Sequence, residues 1–84
     1  MVTLNKAALR DHLAMANRQL AIANRHIAAG NRVVTKQRQL ITELEADGHD
    51  TREALALLAR FEDLRALHLS DRDRLIDEIR SAEI

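Results

Sequence analysis

Four histidines, His12, His26, His49 and His68, are the residues of this 84-residue sequence able to supply imidazole chemistry, as metal ligands or as groups that change charge near neutral pH. His26 and His68 are expected to come within a helical turn of each other once the chain folds back, which makes them the candidates for a metal- or proton-responsive switch. Against that stand the absence of cysteine, of any His-x3-His spacing and of an accompanying carboxylate cluster. Packing is therefore the expected role of these histidines, and no metal or cofactor is expected. Ser70 and Ser81 have no evident base, the carboxylates are spread along the chain instead of converging, and no glycine-rich loop is available to cradle a phosphate. No catalytic residue emerges, and the sequence reads as a non-enzyme without a small-molecule substrate.

A second pattern concerns cations. Asn-Arg recurs at Asn17-Arg18, Asn24-Arg25 and Asn31-Arg32, each seven residues from the last. On a helix this spacing stacks Arg18, Arg25 and Arg32 in a line, extended by Lys36, on the side away from the apolar residues. A solvated face is the plain reading. The alternative is an electrostatic nucleic-acid-binding face that contacts successive phosphates, although no helix-turn-helix, zinc finger or aromatic stacking platform accompanies it. Nucleic acid is the weaker expectation. The net charge of zero conceals an imbalance: through Thr42 seven Lys/Arg face one acid, a net +6, and from Glu43 onward six Arg face twelve acids, a net −6. The chain reads as a basic half joined to an acidic half.

The elements that must carry these side chains are helices. Proline is absent, glycine occurs twice and Phe61 is the sole aromatic, a composition of long helices and not of sheets. From Leu9 to Leu44 one facing class recurs at alternating spacings of four and three: Leu9, Leu13, Ala16, Leu20, Ala23, Ile27, Gly30, Val34, Gln37, Ile41 and Leu44. That is the seam of a helix packed lengthwise on another helix. The only strong punctuation is Asp47-Gly48-His49-Asp50-Thr51. Gly48 suits the left-handed residue that closes a helix, His49 is expected to pack near Leu44, and Asp50 with Glu53 reads as the cap and back-reaching partner of a second helix.

The sequence thus predicts a single all-α domain over residues 1–84. Helix 1 runs over about 4–46, the turn over 47–50 and helix 2 over about 51–80, folded as an antiparallel hairpin with about four turns of helix 1 projecting. Facing residue numbers are expected to sum to about 98, so that Ile41 meets Leu57, Gln37 meets Phe61, Val34 meets Leu64, Gly30 meets His68 and Ala23 meets Leu75. The predicted packing seam is Leu13, Leu20, Ile27, Gly30, Val34 and Ile41 against Leu57, Phe61, Leu64, His68 and Leu75. A leucine at Gly30 is expected to push the helices apart. Ser70-Asp71-Arg72-Asp73 resembles a helix start, but a continuous helix 2 is preferred.

Met15, Ile22, Val33 and Leu40 fall outside the first seam, about 110° around helix 1, and Leu58, Leu67, Leu69 and Ile76 flank the main face of helix 2. One partner helix cannot cover both stripes. Two hairpins paired as a four-helix bundle can, so a homodimer is expected, with an unidentified protein as a further candidate partner. No apolar run approaches the length needed to span a bilayer and the first residues lack a signal peptide's apolar block, so the chain reads as cytoplasmic and not membrane-bound.

Between His12 and Leu75 the sequence resembles a group of small helical-hairpin proteins of soil and plant-associated bacteria. The resemblance is carried by Arg25-His26-Ile27-Ala28, Gln37-Arg38-Gln39-Leu40-Ile41 with Glu43-Leu44-Glu45, the turn Asp47-Gly48-His49-Asp50-Thr51, Phe61-Glu62, and His68 followed by Asp71-Arg72-Asp73-Arg74-Leu75. Similar sequences tend to place glutamate where this one has Asn17, Asn24 and Asn31, which makes helix 1 more basic here. The resemblance implies the hairpin and brings no activity, cofactor or catalytic residue with it.

Overall fold

The alternating seam and the single glycine-centred stop build two rods. In the computed structural model, which describes residues 6–82, α1 spans Lys6–Ala46 and α2 spans Arg52–Ala82, packed as an antiparallel hairpin measuring 67 × 19 × 15 Å. The sequence-predicted start of helix 1 at residues 4 and 5 lies outside the described residues. Helix α2 passes through Ser70 without a break.

The turn is built by hydrogen bonds that close one helix and open the next. His49 N–H donates to Leu44 O at 2.9 Å and Gly48 N–H donates to Glu45 O at 3.1 Å. These are the paired 6→1 and 5→2 bonds of a Schellman closure, and Gly48 supplies the left-handed residue at φ 74°. The first bond of α2 runs from Leu55 N–H to Thr51 O at 2.8 Å, which makes Thr51 the half-in residue at its start. Asp50 sits one residue earlier than a cap, and its Oδ1 accepts the Arg52 backbone N–H at 3.0 Å. The predicted return bond from Glu53 is not among those the described residues make; the Arg52 guanidinium occupies the Asp50 carboxylate instead, at 2.7 Å from Oδ2. That guanidinium first, and the Arg52 N–H second, hold the Asp50 carboxyl below the usual carboxylate range.

Every position of the α1 seam from Leu9 to Leu44 is buried or half-buried. Ala16, Ala23, Val34, Gln37 and Ile41 are its most enclosed members, and Leu75 at 3 % exposure is the most enclosed residue of α2. Gln37 is a polar residue in this core, and its Nε2 donates to Ala54 O across the hairpin at 2.9 Å. The amide is thereby satisfied where an unpartnered one would be costly.

The seam of α2 departs from expectation. Ala54, Leu58, Phe61, Arg65, His68, Arg72, Leu75 and Ile79 face α1, whereas Leu57 and Leu64 stand 40 % and 52 % exposed. The two alternatives share Phe61, His68 and Leu75 and differ by a small rotation of the helix. Rotation toward Leu57 and Leu64 would also have turned Asp71 and Glu78 inward. The observed rotation instead half-buries Ile76 and Ile79 and leaves both carboxylates in water. Arg65 and Arg72 tolerate seam positions because their aliphatic stems line the contact while the guanidinium groups reach solvent or polar partners.

The register is also displaced, by about one helical turn. Gly30 lies opposite Arg65, whose Cβ would stand 3.9 Å from a Cβ added to the glycine, and not opposite His68. The Gln37 side chain reaches back to Ala54 O, in the same direction as that displacement. Because α2 continues to Ala82 and slides toward the open end, Ser81 and Ala82 share a groove with Leu9 and His12. Roughly one turn of the described part of α1 extends beyond its partner, instead of the four expected.

Candidate functional site

The two long edges of the hairpin differ in chemistry. Along one edge the helices are laced by polar side chains: Arg38 Nη2 donates to Glu62 Oε1 at 2.8 Å and Arg65 Nε donates to Asn31 Oδ1 at 2.6 Å. These residues lie on the Asn17, Asn24, Asn31, Arg38 side of the seam. Along the other edge no cross-helix polar bond forms among the described residues, and aliphatic side chains stand in solvent. Val33 and Leu40 repeat at seven residues on α1, Leu57 and Leu64 repeat at seven on α2, and all four are exposed. Seven-residue spacing keeps each pair on one flank of its helix.

Val33 and Leu64 meet in a cleft of about 280 Å³, which is also lined by His26, Ala29, Gly30, Phe61 and His68. The cleft exists because a glycine and an alanine of α1 leave space beside the aromatic ring of α2. Met15, Ile22 and Leu67, the last 63 % exposed, widen the same apolar band around the two helices. The stripe that the sequence places outside the first seam, Met15, Ile22, Val33 and Leu40, is exposed at each position. On α2 the expected flank divides: Leu67 is exposed, while Leu58, Leu69 and Ile76 are half-buried. Leu57 and Leu64 belong to the open flank, and the signal that would have placed them there is the unbroken three-four spacing from Ala54 to Ile79.

His26 and His68 do come together, with ring centroids 4.8 Å apart and ring planes tilted by 57°. They form one wall of the cleft, where His68 is half-buried and His26 exposed. No group of three His, Cys, Asp or Glu side chains able to hold a metal ion occurs among the described residues.

Arg18, Arg25, Arg32 and Lys36 are all exposed, and none is in an ion pair among the described residues. The arginines project from the outer side of α1, away from α2. The acidic half of the sequence is only partly α2. Glu43 and Glu45 end α1 and Asp47 and Asp50 stand in the turn. Helix α2 itself carries six Arg against seven acids, a net −1, and α1 carries seven Lys/Arg against three, a net +4. The second helix is therefore much less acidic than the sequence halves imply.

No family model matches the chain, and neither the curated proteins nor the solved structures contain a match. No helix of the described residues is long and apolar enough to cross a membrane.

Proposed function

We propose that this protein is a non-enzymatic helical interaction module that works as a homodimer, two hairpins joining through the open apolar flank into a four-helix bundle. The observation that carries this reading is the one-sidedness of the hairpin. One edge is laced by Arg38–Glu62 and Arg65–Asn31 and exposes a single large aliphatic side chain, Leu55, whereas the other presents Val33, Leu40, Leu57 and Leu64, with a cleft between Val33 and Leu64. A helix of a four-helix core contributes its two seam positions plus one flank, and here the flank remains open in the single hairpin.

The limited core supports the same reading. Among the described residues, no large side chain is fully enclosed within one hairpin. A chain of this length rarely reaches useful stability from a single sparse core, and association is one of the ordinary remedies. Sedimentation equilibrium at micromolar concentration tests the proposal by returning the mass of a dimer. Leu64→Glu, at a residue already 52 % exposed, should return the mass of one chain with helicity retained. A single-chain mass for the unaltered protein at tens of micromolar overturns the proposal.

A second reading is favoured by the unpaired cations Arg18, Arg25, Arg32 and Lys36, which leave α1 free to contact phosphates of a nucleic acid. A gel-shift titration across salt concentrations decides it. Binding that weakens steeply with salt and is lost in an Arg18→Gln, Arg25→Gln, Arg32→Gln triple variant supports it, and no binding at low salt removes it.

A further inference from the structure

We propose that the open flank receives a second copy of this chain with both turns at the same end of the assembly, so that α1 of each protomer lies along α2 of its partner. The inference rests on the self-association reading above and adds the arrangement. Two hairpins meeting face to face about a twofold axis have two solutions. An axis parallel to the helices puts the turns together and α1 beside the partner's α2. An axis across the helices, in the plane of contact, puts the turns at opposite ends and α1 beside the partner's α1.

The composition of the flank along its length separates the two. Near the turn its layers are aliphatic, Leu40 with Leu57 and then Val33 with Leu64. Seven and fourteen residues farther from the turn, the same flank positions hold His26 with Asp71 and Gln19 with Glu78. Arg74 bridges those two carboxylates along α2, at 3.8 Å from Asp71 and 3.1 Å from Glu78. The same-end dimer sets each layer against the same layer of the partner, Leu40 and Val33 along the leucines of the other α2, and His26 and Gln19 along its carboxylates. The opposite-end dimer, which runs α2 against the partner's α2, either presses Leu57 onto Glu78 and Leu64 onto Asp71, stripping water from the Arg74-bridged carboxylates without offering a new polar partner, or slides until only the turn-proximal halves overlap.

Shape and charge agree with the layers. The exposed Leu64 adjoins the cleft between Val33 and Phe61, so a knob and a hole lie at one level of the hairpin and an axis along the helices brings each to its counterpart. With α1 at +4 and α2 at −1, the opposite-end arrangement places the two most positive rods side by side, and the same-end arrangement alternates them. This long-range preference weakens as salt rises.

The absence of cysteine makes site-directed spin labelling direct: Asp47→Cys marks the turn and Asp11→Cys marks the far end of α1, both at exposed positions. Each labelled protein is measured by double electron–electron resonance, with its mass determined in the same buffer. In the same-end dimer both inter-protomer separations fall below about 40 Å, from bundle spacing plus label tethers. The two sites lie roughly 54 Å apart along α1, so in any opposite-end dimer at least one separation exceeds roughly 54 Å, whatever the offset. A dimeric mass with one long separation overturns the arrangement and leaves self-association standing. A single-chain mass overturns both.

Discussion

Gly30→Ala is expected to stabilise the protein, although the glycine lies at the helix-helix contact where a small residue would ordinarily be read as indispensable. A Cβ built on Gly30 meets the Arg65 Cβ at 3.9 Å, an ordinary van der Waals distance, and the backbone there is regular helix. The substitution therefore removes the conformational cost of a glycine inside a helix, about 1 kcal/mol, without a steric penalty. The added methyl is half-buried and contributes a fraction of the ~0.8 kcal/mol of a fully buried carbon. A gain of about 1 to 1.5 kcal/mol should raise the melting temperature by about 4 to 10 °C for a chain of this size. The assay is circular dichroism at 222 nm at one fixed protein concentration, since association makes the midpoint concentration-dependent. A midpoint lowered by several degrees would show that the helices close more tightly at this level than the Arg65 stem allows, and would refute the register in which Gly30 faces Arg65. A leucine at Gly30, which extends three carbons beyond this contact, remains the disruptive substitution.

Leu75→Ala should cost about 2 to 3 kcal/mol, the low end for a buried leucine because two helices can settle toward the space, and should lower the urea midpoint at unchanged slope. Gly48→Ala meets no atom within 4 Å, so its cost is the left-handed backbone alone, about 1 to 2 kcal/mol, read as a drop in thermal midpoint that Gly48→Asn incurs only in part. The carboxyl of Asp50 is held below its ordinary value of 3.8 by Arg52, so its contribution to stability is complete above that value and disappears as pH falls through the lower value of the folded state. Asp50→Asn should accordingly melt slightly below the unaltered protein at neutral pH and match it in strong acid; a gap that widened on acidification would reverse the sign assigned to this contact.

Helix α1 and the turn are local in their causes, and for that reason they are legible without coordinates. A three-four repeat over eleven positions, all Leu, Ile, Val or Ala except Gly30 and Gln37, marks one lengthwise seam, and each of its members is sheltered. Gly48 and His49 close the helix through bonds that reach no farther back than Leu44. The approach of His26 to His68 follows from the same short connection, because two helices joined by five residues have to lie side by side.

Helix α2 differs, since its sequence supports two faces. Leu57, Phe61, Leu64 and His68 make as good a stripe as Leu58, Phe61, Arg65 and His68 when read alone, and hydrophobicity favours the first. A rigid helix has a single rotation over its whole length, so the choice near the turn is made by the far end, where Leu75, Ile76 and Ile79 must face α1 and Asp71 and Glu78 must not. That coupling, and the one-turn displacement that sets Gly30 on Arg65, exist only once both helices are placed together. Sequence thus determined the hairpin, the seam of α1 and the turn, because those depend on neighbours within a few residues. Tertiary packing decided which leucines are core and which are left to meet another molecule, because a straight rod spreads one compromise over thirty-one residues.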